Sequence, residues 1–79
     1  MRAGETISVL ASFGPSCRIR PVRFRWSGRL LEVKEITYSW KTHEGEKEVY
    51  HFSVTDGRSL YELTFDARSM IWKVENLEA

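Results

Sequence analysis

The chain contains little cysteine and proline, and it has no long uncharged apolar run. One cysteine, Cys17, in 79 residues excludes an internal disulfide framework and a cysteine-rich zinc site. The longest stretch without a charge, Thr6 to Cys17, contains three serines and is too short to span a bilayer. No basic leader region precedes it, and a small secreted domain normally carries several disulfides. We therefore expect a cytoplasmic protein without a membrane partner.

The composition is that of a small globular domain. Apolar residues make up 42% of the chain and charged residues 29%, which is unlike a disordered tail. There is no internal repeat, low-complexity run or linker, so residues 1–79 are expected to form a single β domain. A chain of this size buries only about 60% of its unfolded surface, so its core is small.

Apolar side chains recur at every second position along most of the chain. This period is typical of β-strands, and no window shows the 3.6-residue period of a helix. Turn signals at Gly14–Pro15, Ser27–Gly28 and Asp56–Gly57 separate the strands. The sequence predicts an all-β protein with five or six antiparallel strands.

The alternation changes phase in the middle of the chain. Val33 is odd-numbered, whereas Ile36, Tyr38 and Trp40 are even, so we place a bulge or sharp bend near Lys34–Glu35. Long bent strands curl small sheets into barrels. The predicted architecture is a strongly bent small barrel or roll, SH3-like, with an OB-like barrel as the alternative.

The chain has more alternating apolar side chains than a core of this size is expected to hold. Ile36, Tyr38 and Trp40 lie beyond the predicted bend, so they are the best candidates for an exposed patch. Such a patch marks a protein-partner or homodimer surface. The alternative is that the three side chains cap an open end of the barrel.

Positive charge is concentrated in one segment. No acidic residue lies between Glu5 and Glu32, and five arginines do. Arginine forms forked hydrogen bonds with phosphate and stacks on bases. The candidate nucleic-acid contacts are therefore Arg20, Arg23, Arg25 and Arg29.

A second interpretation of the arginines is structural. Arginines on an outward strand face often pair with glutamates of neighbouring strands. The net charge of +1 is also lower than is usual for a dedicated nucleic-acid binder. The glutamates that could pair are Glu32, Glu35, Glu48 and Glu62.

No motif indicates catalysis. His43 and His51 match no metal-ligand spacing, and nothing near Cys17 supports a nucleophile–base pair with either histidine. We expect His51 to be an exposed strand residue and Cys17 a small buried apolar residue. The sequence thus predicts no catalytic residues, metal site, cofactor or small-molecule substrate, and no enzyme.

The segment Pro21 to Arg29, PVRFRWSGR, resembles a bacterial domain family of unknown function. Its hallmark is a proline, an aromatic-x-tryptophan pair and glycine-arginine, followed by a strand valine, here Val33. The similarity continues at Tyr50, Val54, Asp56, Gly57, Tyr61, Leu63, Asp66 and Trp72. A related pattern occurs near the end of the non-catalytic Y-family polymerase-like subunit of bacterial mutagenesis cassettes.

The resemblance covers residues 21–74, but the segment from Ile36 to Val49 departs from it. It implies a small β module associated with DNA-damage tolerance, without an assigned activity. Our first hypothesis is a non-enzymatic interaction module that binds nucleic acid or a nucleic-acid-processing protein through its arginines. The second is a protein–protein or homodimerisation module.

Overall fold

All the strands belong to one antiparallel sheet. The computed structural model describes residues 2–15 and 18–78, which contain seven strands and no α-helix. The strands are β1 (Arg2–Gly14), β2 (Arg18–Trp26), β3 (Arg29–Glu32), β4 (Glu35–Glu44), β5 (Lys47–Thr55), β6 (Leu60–Asp66) and β7 (Ile71–Glu78). The all-β prediction is confirmed. The strand number is seven, not five or six, because the bent central strand is divided at Val33 and Lys34.

The spatial order of the strands is β3-β2-β1-β7-β6-β5-β4. Strands β1, β2 and β3 form one meander, and strands β4, β5, β6 and β7 form another. The pairing of β1 with β7 unites the two meanders in one sheet. As a result, β3 and β4 follow each other in the chain but occupy opposite edges of the sheet. The segment between them has to cross from one edge to the other.

That crossing curls the sheet into a half-barrel. The Val33 amide donates to the Val22 carbonyl at 2.9 Å, and the next amide, Lys34, donates to the Thr55 carbonyl at 2.8 Å. Successive amides of an extended chain point to opposite sides, so these two bonds hold β2 and β5 against the same segment. The predicted bend is therefore present at Val33–Lys34. The register shift in β4 lies further on, between Ile36 and Tyr38.

The core fills the concave side of the curled sheet. Phe24, Leu63, Val54 and Val74 are the largest fully buried side chains. They pack with Leu31, Phe52, Tyr61, Phe65 and Trp72. All of these positions follow the period-2 alternation of the sequence. Phe13 shares that alternation but is 57% exposed, and its ring meets the Phe65 ring edge-on at 6.2 Å.

Two of the predicted turns are present. Ser27 and Gly28 join β2 to β3 and both have positive φ, 53° and 74°, as a two-residue type I′ hairpin requires. Asp56 and Gly57 belong to the loop that joins β5 to β6. Within the described ranges, no helix is long and apolar enough to cross a membrane.

Candidate nucleic-acid interface

A bulge in β2 places four arginines on one face of the sheet. Arg23 pairs with Leu10 of β1, and Pro21 pairs with Ala11, so Val22 is an extra residue in β2. An extra residue shifts the alternation of side chains by one position. The even-numbered arginines before the bulge therefore share the outward face with the odd-numbered arginines after it. We call this set the arginine face: Arg18, Arg20, Arg23 and Arg25.

The arginine face carries unneutralised charge. In the described part of the chain, none of its four guanidinium groups forms an ion pair or hydrogen bond with another residue. Glu32 lies opposite Arg23 in the register, yet its carboxylate contacts Lys34 Nζ at 3.4 Å. Glu48 contacts Lys41. The structural pairing considered for the arginines is thus not observed among these residues.

Two exposed leucines flank the arginines on the neighbouring strands. Leu30 lies opposite Arg25, and Leu10 lies opposite Arg23. Each leucine is 54% exposed. With Ser8 and the two arginines they line a shallow groove of about 270 Å³. These leucines were not among the predicted contacts, although both stand at positions where the alternation predicts polar residues.

Arg29 lies apart from the arginine face. It pairs with Trp26, whose ring packs against Tyr61 at 6.0 Å on the core side of the sheet. Arg29 therefore lines a different cavity, at the rim of the half-barrel, with Asp56 and Arg58. Of the four arginines predicted as contacts, Arg20, Arg23 and Arg25 come together and Arg29 does not. Arg18 joins them instead.

A second bulge, in β4 between Ile36 and Tyr38, separates Ile36 from the other two residues of the predicted apolar patch. Ile36 pairs with Val54 and packs against the core, but after the register shift Tyr38 pairs with Ser53 and points outward. Trp40 points outward as well. Tyr38 is 66% exposed and Trp40 36%, and their ring centroids are 5.4 Å apart. The exposed patch therefore consists of two aromatic rings without Ile36.

His51 is covered by Trp40. The two rings stack at 4.8 Å with an interplanar angle of 10°, and only 14% of the His51 side chain is exposed. The expectation of an exposed His51 is therefore wrong, because the outward turn of Trp40 after the bulge hides it. Nε2 of His51 lies 2.8 Å from Thr42 Oγ1. Its buried Nδ1 has no hydrogen bond among the described residues and lies 3.9 Å from Glu62.

The outward side of β5, β6 and β7 has a small excess of acidic residues over lysines. Lys47 pairs with Asp66 at 3.5 Å, and Thr64 donates to the Glu75 carboxylate at 3.0 Å. Together with His51 these residues line a groove of about 340 Å³. Glu62 borders the same region through His51. We call Tyr38, Trp40, Glu62 and Glu75 the acidic aromatic face.

The remaining candidates do not converge. Cys17 lies outside the described residues. His43 is exposed and pairs with Glu48, and strand alternation puts it on the opposite face from His51. In residues 2–15 and 18–78, no group of three histidine, cysteine, aspartate or glutamate residues could hold a metal ion.

No family model matches the chain, and neither a curated protein nor a solved structure matches it.

Proposed function

We propose that the chain is a non-enzymatic interaction module that binds nucleic acid through the arginine face. The observation that carries the proposal is the alignment of Arg18, Arg20, Arg23 and Arg25 without an ion pair in the described part of the chain. Four guanidinium groups on one surface attract a phosphate backbone and release its counterions on binding. Each can also form a bidentate contact with phosphate.

The leucines add apolar contacts to this charge. Leu10 on β1 and Leu30 on β3 flank Arg23 and Arg25, so a strand of nucleic acid lying along β2 would meet the arginines with an apolar side chain on either side. Phosphate contacts position the ligand, and apolar side chains beside them can contact the bases. The site we propose therefore includes Leu10 and Leu30 and leaves out Arg29.

We also propose that the half-barrel is an SH3-like barrel, with an OB-like barrel as the alternative. Both types suit an interaction module of this size. The resemblance to the bacterial domain family supports an association with DNA-damage tolerance in the cytoplasm. Two of its motif residues have structural roles here: Trp26 packs against Tyr61, and Gly28 forms the hairpin turn.

The proposal predicts that the double variant Arg23→Glu/Arg25→Glu loses affinity for oligonucleotides. Fluorescence anisotropy with a short labelled single strand and a short duplex measures this. For the unmodified chain, the slope of log K against log salt should reach about −0.9 per duplex phosphate contact and about −0.7 per single-strand contact. The variant should weaken binding at low salt by about a hundredfold or more and flatten the slope.

A matched control separates position from net charge. Arg58→Glu/Arg68→Glu changes the same charges on exposed loop residues outside the arginine face. We expect this control to bind nearly as well as the unmodified chain. Equal affinity of all three proteins, or equal losses in both variants, would show that the arginine face is not the binding surface.

A further inference from the structure

The molecule has two outward surfaces of opposite charge. The arginine face carries four guanidinium groups on β2. On the other side, three acidic residues and two lysines line the groove that His51 borders, and Glu62 adds a fourth carboxylate beside His51. Glu62 lies within 3.9 Å of His51, on which Trp40 stacks, so a carboxylate adjoins the aromatic pair. A surface of this kind attracts a cation.

The aromatic pair fits guanidinium groups in particular. A guanidinium within about 6 Å of the face of a tyrosine or tryptophan ring is attracted by the ring quadrupole. Arginine also stacks flat on aromatic rings and forms forked bonds with a carboxylate. Tyr38 is the most exposed side chain in the aromatic pair, so its ring is available for such a contact. The acidic aromatic face therefore combines both elements of an arginine site.

The chain itself carries arginines with the matching spacing. Arg23 and Arg25 stand two residues apart on one strand, which separates them by about 6.6 Å. Tyr38 and Trp40 also stand two residues apart on one strand, with ring centroids 5.4 Å from each other. Two guanidinium groups with this separation can each cover one ring.

We propose that the acidic aromatic face of one molecule binds the arginine face of a second copy of this chain. Arg23 and Arg25 of one copy lie over Tyr38 and Trp40 of the next, beside Glu62. Because the two surfaces differ, the contact is heterologous and repeats head to tail. The second copy and nucleic acid then compete for the same arginines, so nucleic acid dissociates the oligomer.

Sedimentation velocity over a range of protein concentrations tests the proposal. At about 0.05 M salt the weight-average mass should rise above the 9.3 kDa of one chain and at least double. At about 1 M salt, where the Debye length is about 3 Å, it should return to that of one chain. Two double variants should each remain monomeric: Arg23→Glu/Arg25→Glu and Tyr38→Thr/Trp40→Thr. Arg58→Glu/Arg68→Glu, with the same net charge as the first variant, should still assemble.

Mixing the two variants tests directly whether the two faces bind each other. The arginine variant retains its acidic aromatic face, and the aromatic variant retains its arginine face. An equimolar mixture should therefore form a pair of about twice the mass of one chain and no larger species. Circular dichroism checks that each variant is folded. If Trp40→Thr does not fold, Tyr38→Thr with Glu62→Gln replaces it.

Two outcomes overturn the proposal. One is an unmodified chain that stays monomeric at high concentration and low salt. The other is an equimolar mixture of the two folded variants in which no dimer forms. Adding an oligonucleotide keeps this test separate from the proposed function, because assembly without oligonucleotide binding overturns only the nucleic-acid proposal. Oligonucleotide binding by a chain that never assembles overturns only the self-association.

Discussion

Two aspartates stabilise turns through backbone hydrogen bonds. The Asp56 carboxylate accepts the amides of Arg58 and Ser59 at 2.9 Å and the Tyr61 hydroxyl at 3.2 Å. The Ser59 amide is the main reason that the pKa of Asp56 is lowered. Asp66 forms the equivalent turn, and the Arg68 amide is the main reason that its pKa is lowered. Such turns favour aspartate because its short side chain reaches amides two or three residues ahead.

The lowered pKa values predict that stability falls in acid. Both carboxyls hold their protons less tightly in the folded chain than at the ordinary pKa of about 3.9. Their stabilising effect is complete above that value and disappears as the pH falls through the lower folded pKa. Urea unfolding at about pH 6 and about pH 3 should show a larger loss for the unmodified chain than for Asp56→Asn/Asp66→Asn. Equal losses would contradict this assignment.

Single residues also show where the sequence was insufficient. The acid-free run of arginines was visible in the sequence, but the separation of Arg29 from the others was not. Its position depends on the hairpin register that pairs it with Trp26. The cover over His51 likewise depends on Trp40, eleven residues earlier in the chain, facing outward from the neighbouring strand.

At the scale of strands, two bulges determine which side chains are exposed. The bulge at Val22 brings two pairs of arginines of different parity onto one face. The bulge after Ile36 turns Tyr38 and Trp40 away from the core. Pro21 was a usable signal for the first, because proline within a strand is tolerated mainly at edges and bulges. Both proposed surfaces depend on these shifts.

The β2–β3 hairpin offers a test of the turn geometry. Ser27 has positive φ, which a side chain other than asparagine or glycine adopts at a cost. We expect Ser27→Asn to raise the free energy of unfolding by about 0.5 kcal/mol. Gly28→Ala should lower it by about 1 kcal/mol or more. No atom lies within 4 Å of the added Cβ, so this cost is conformational. Thermal or urea unfolding measures both, and shifts in the same direction would exclude a type I′ turn.

At the scale of the whole molecule, the crossing segment Val33–Lys34 keeps the sheet curled into a half-barrel. Val33 bonds to β2 and Lys34 bonds to β5, although these strands belong to different meanders. The two bonds connect parts of the sheet that the strand order places far apart. The curvature that encloses the core therefore depends on a short stretch of backbone.

Lys34→Pro tests this closure, because proline has no amide to donate to Thr55. We expect the free energy of unfolding to fall by about 2–3 kcal/mol, since the Thr55 carbonyl loses its hydrogen bond and the proline ring restricts the backbone of the crossing segment. Lys34→Ala keeps the amide and should change stability by less than about 0.5 kcal/mol. Urea unfolding compares the two, and hydrogen exchange should be faster at Val33 in the proline variant. Similar stability of both variants would mean that the crossing does not hold the sheet closed.

By itself, the sequence determined the class of structure. The period-2 alternation, the turn residues and the phase change after Val33 predicted antiparallel strands with a strong bend in the middle. These signals are local, because side-chain alternation and turn preferences depend on neighbouring residues. The residues of the core cluster all lie on this alternation, but so do Phe13, Tyr38 and Trp40, which are exposed.

Only the tertiary structure decided which residues share a surface. Leu10 lies beside Arg23 because β1 pairs with β2 in one register, and His51 contacts both Trp40 and Glu62 because β5 lies between β4 and β6. Register and bulges depend on partners distant in the chain, and a shift of one residue moves a side chain to the other face. The physical reason is that strand pairing is a non-local interaction, which a pattern along one strand does not contain.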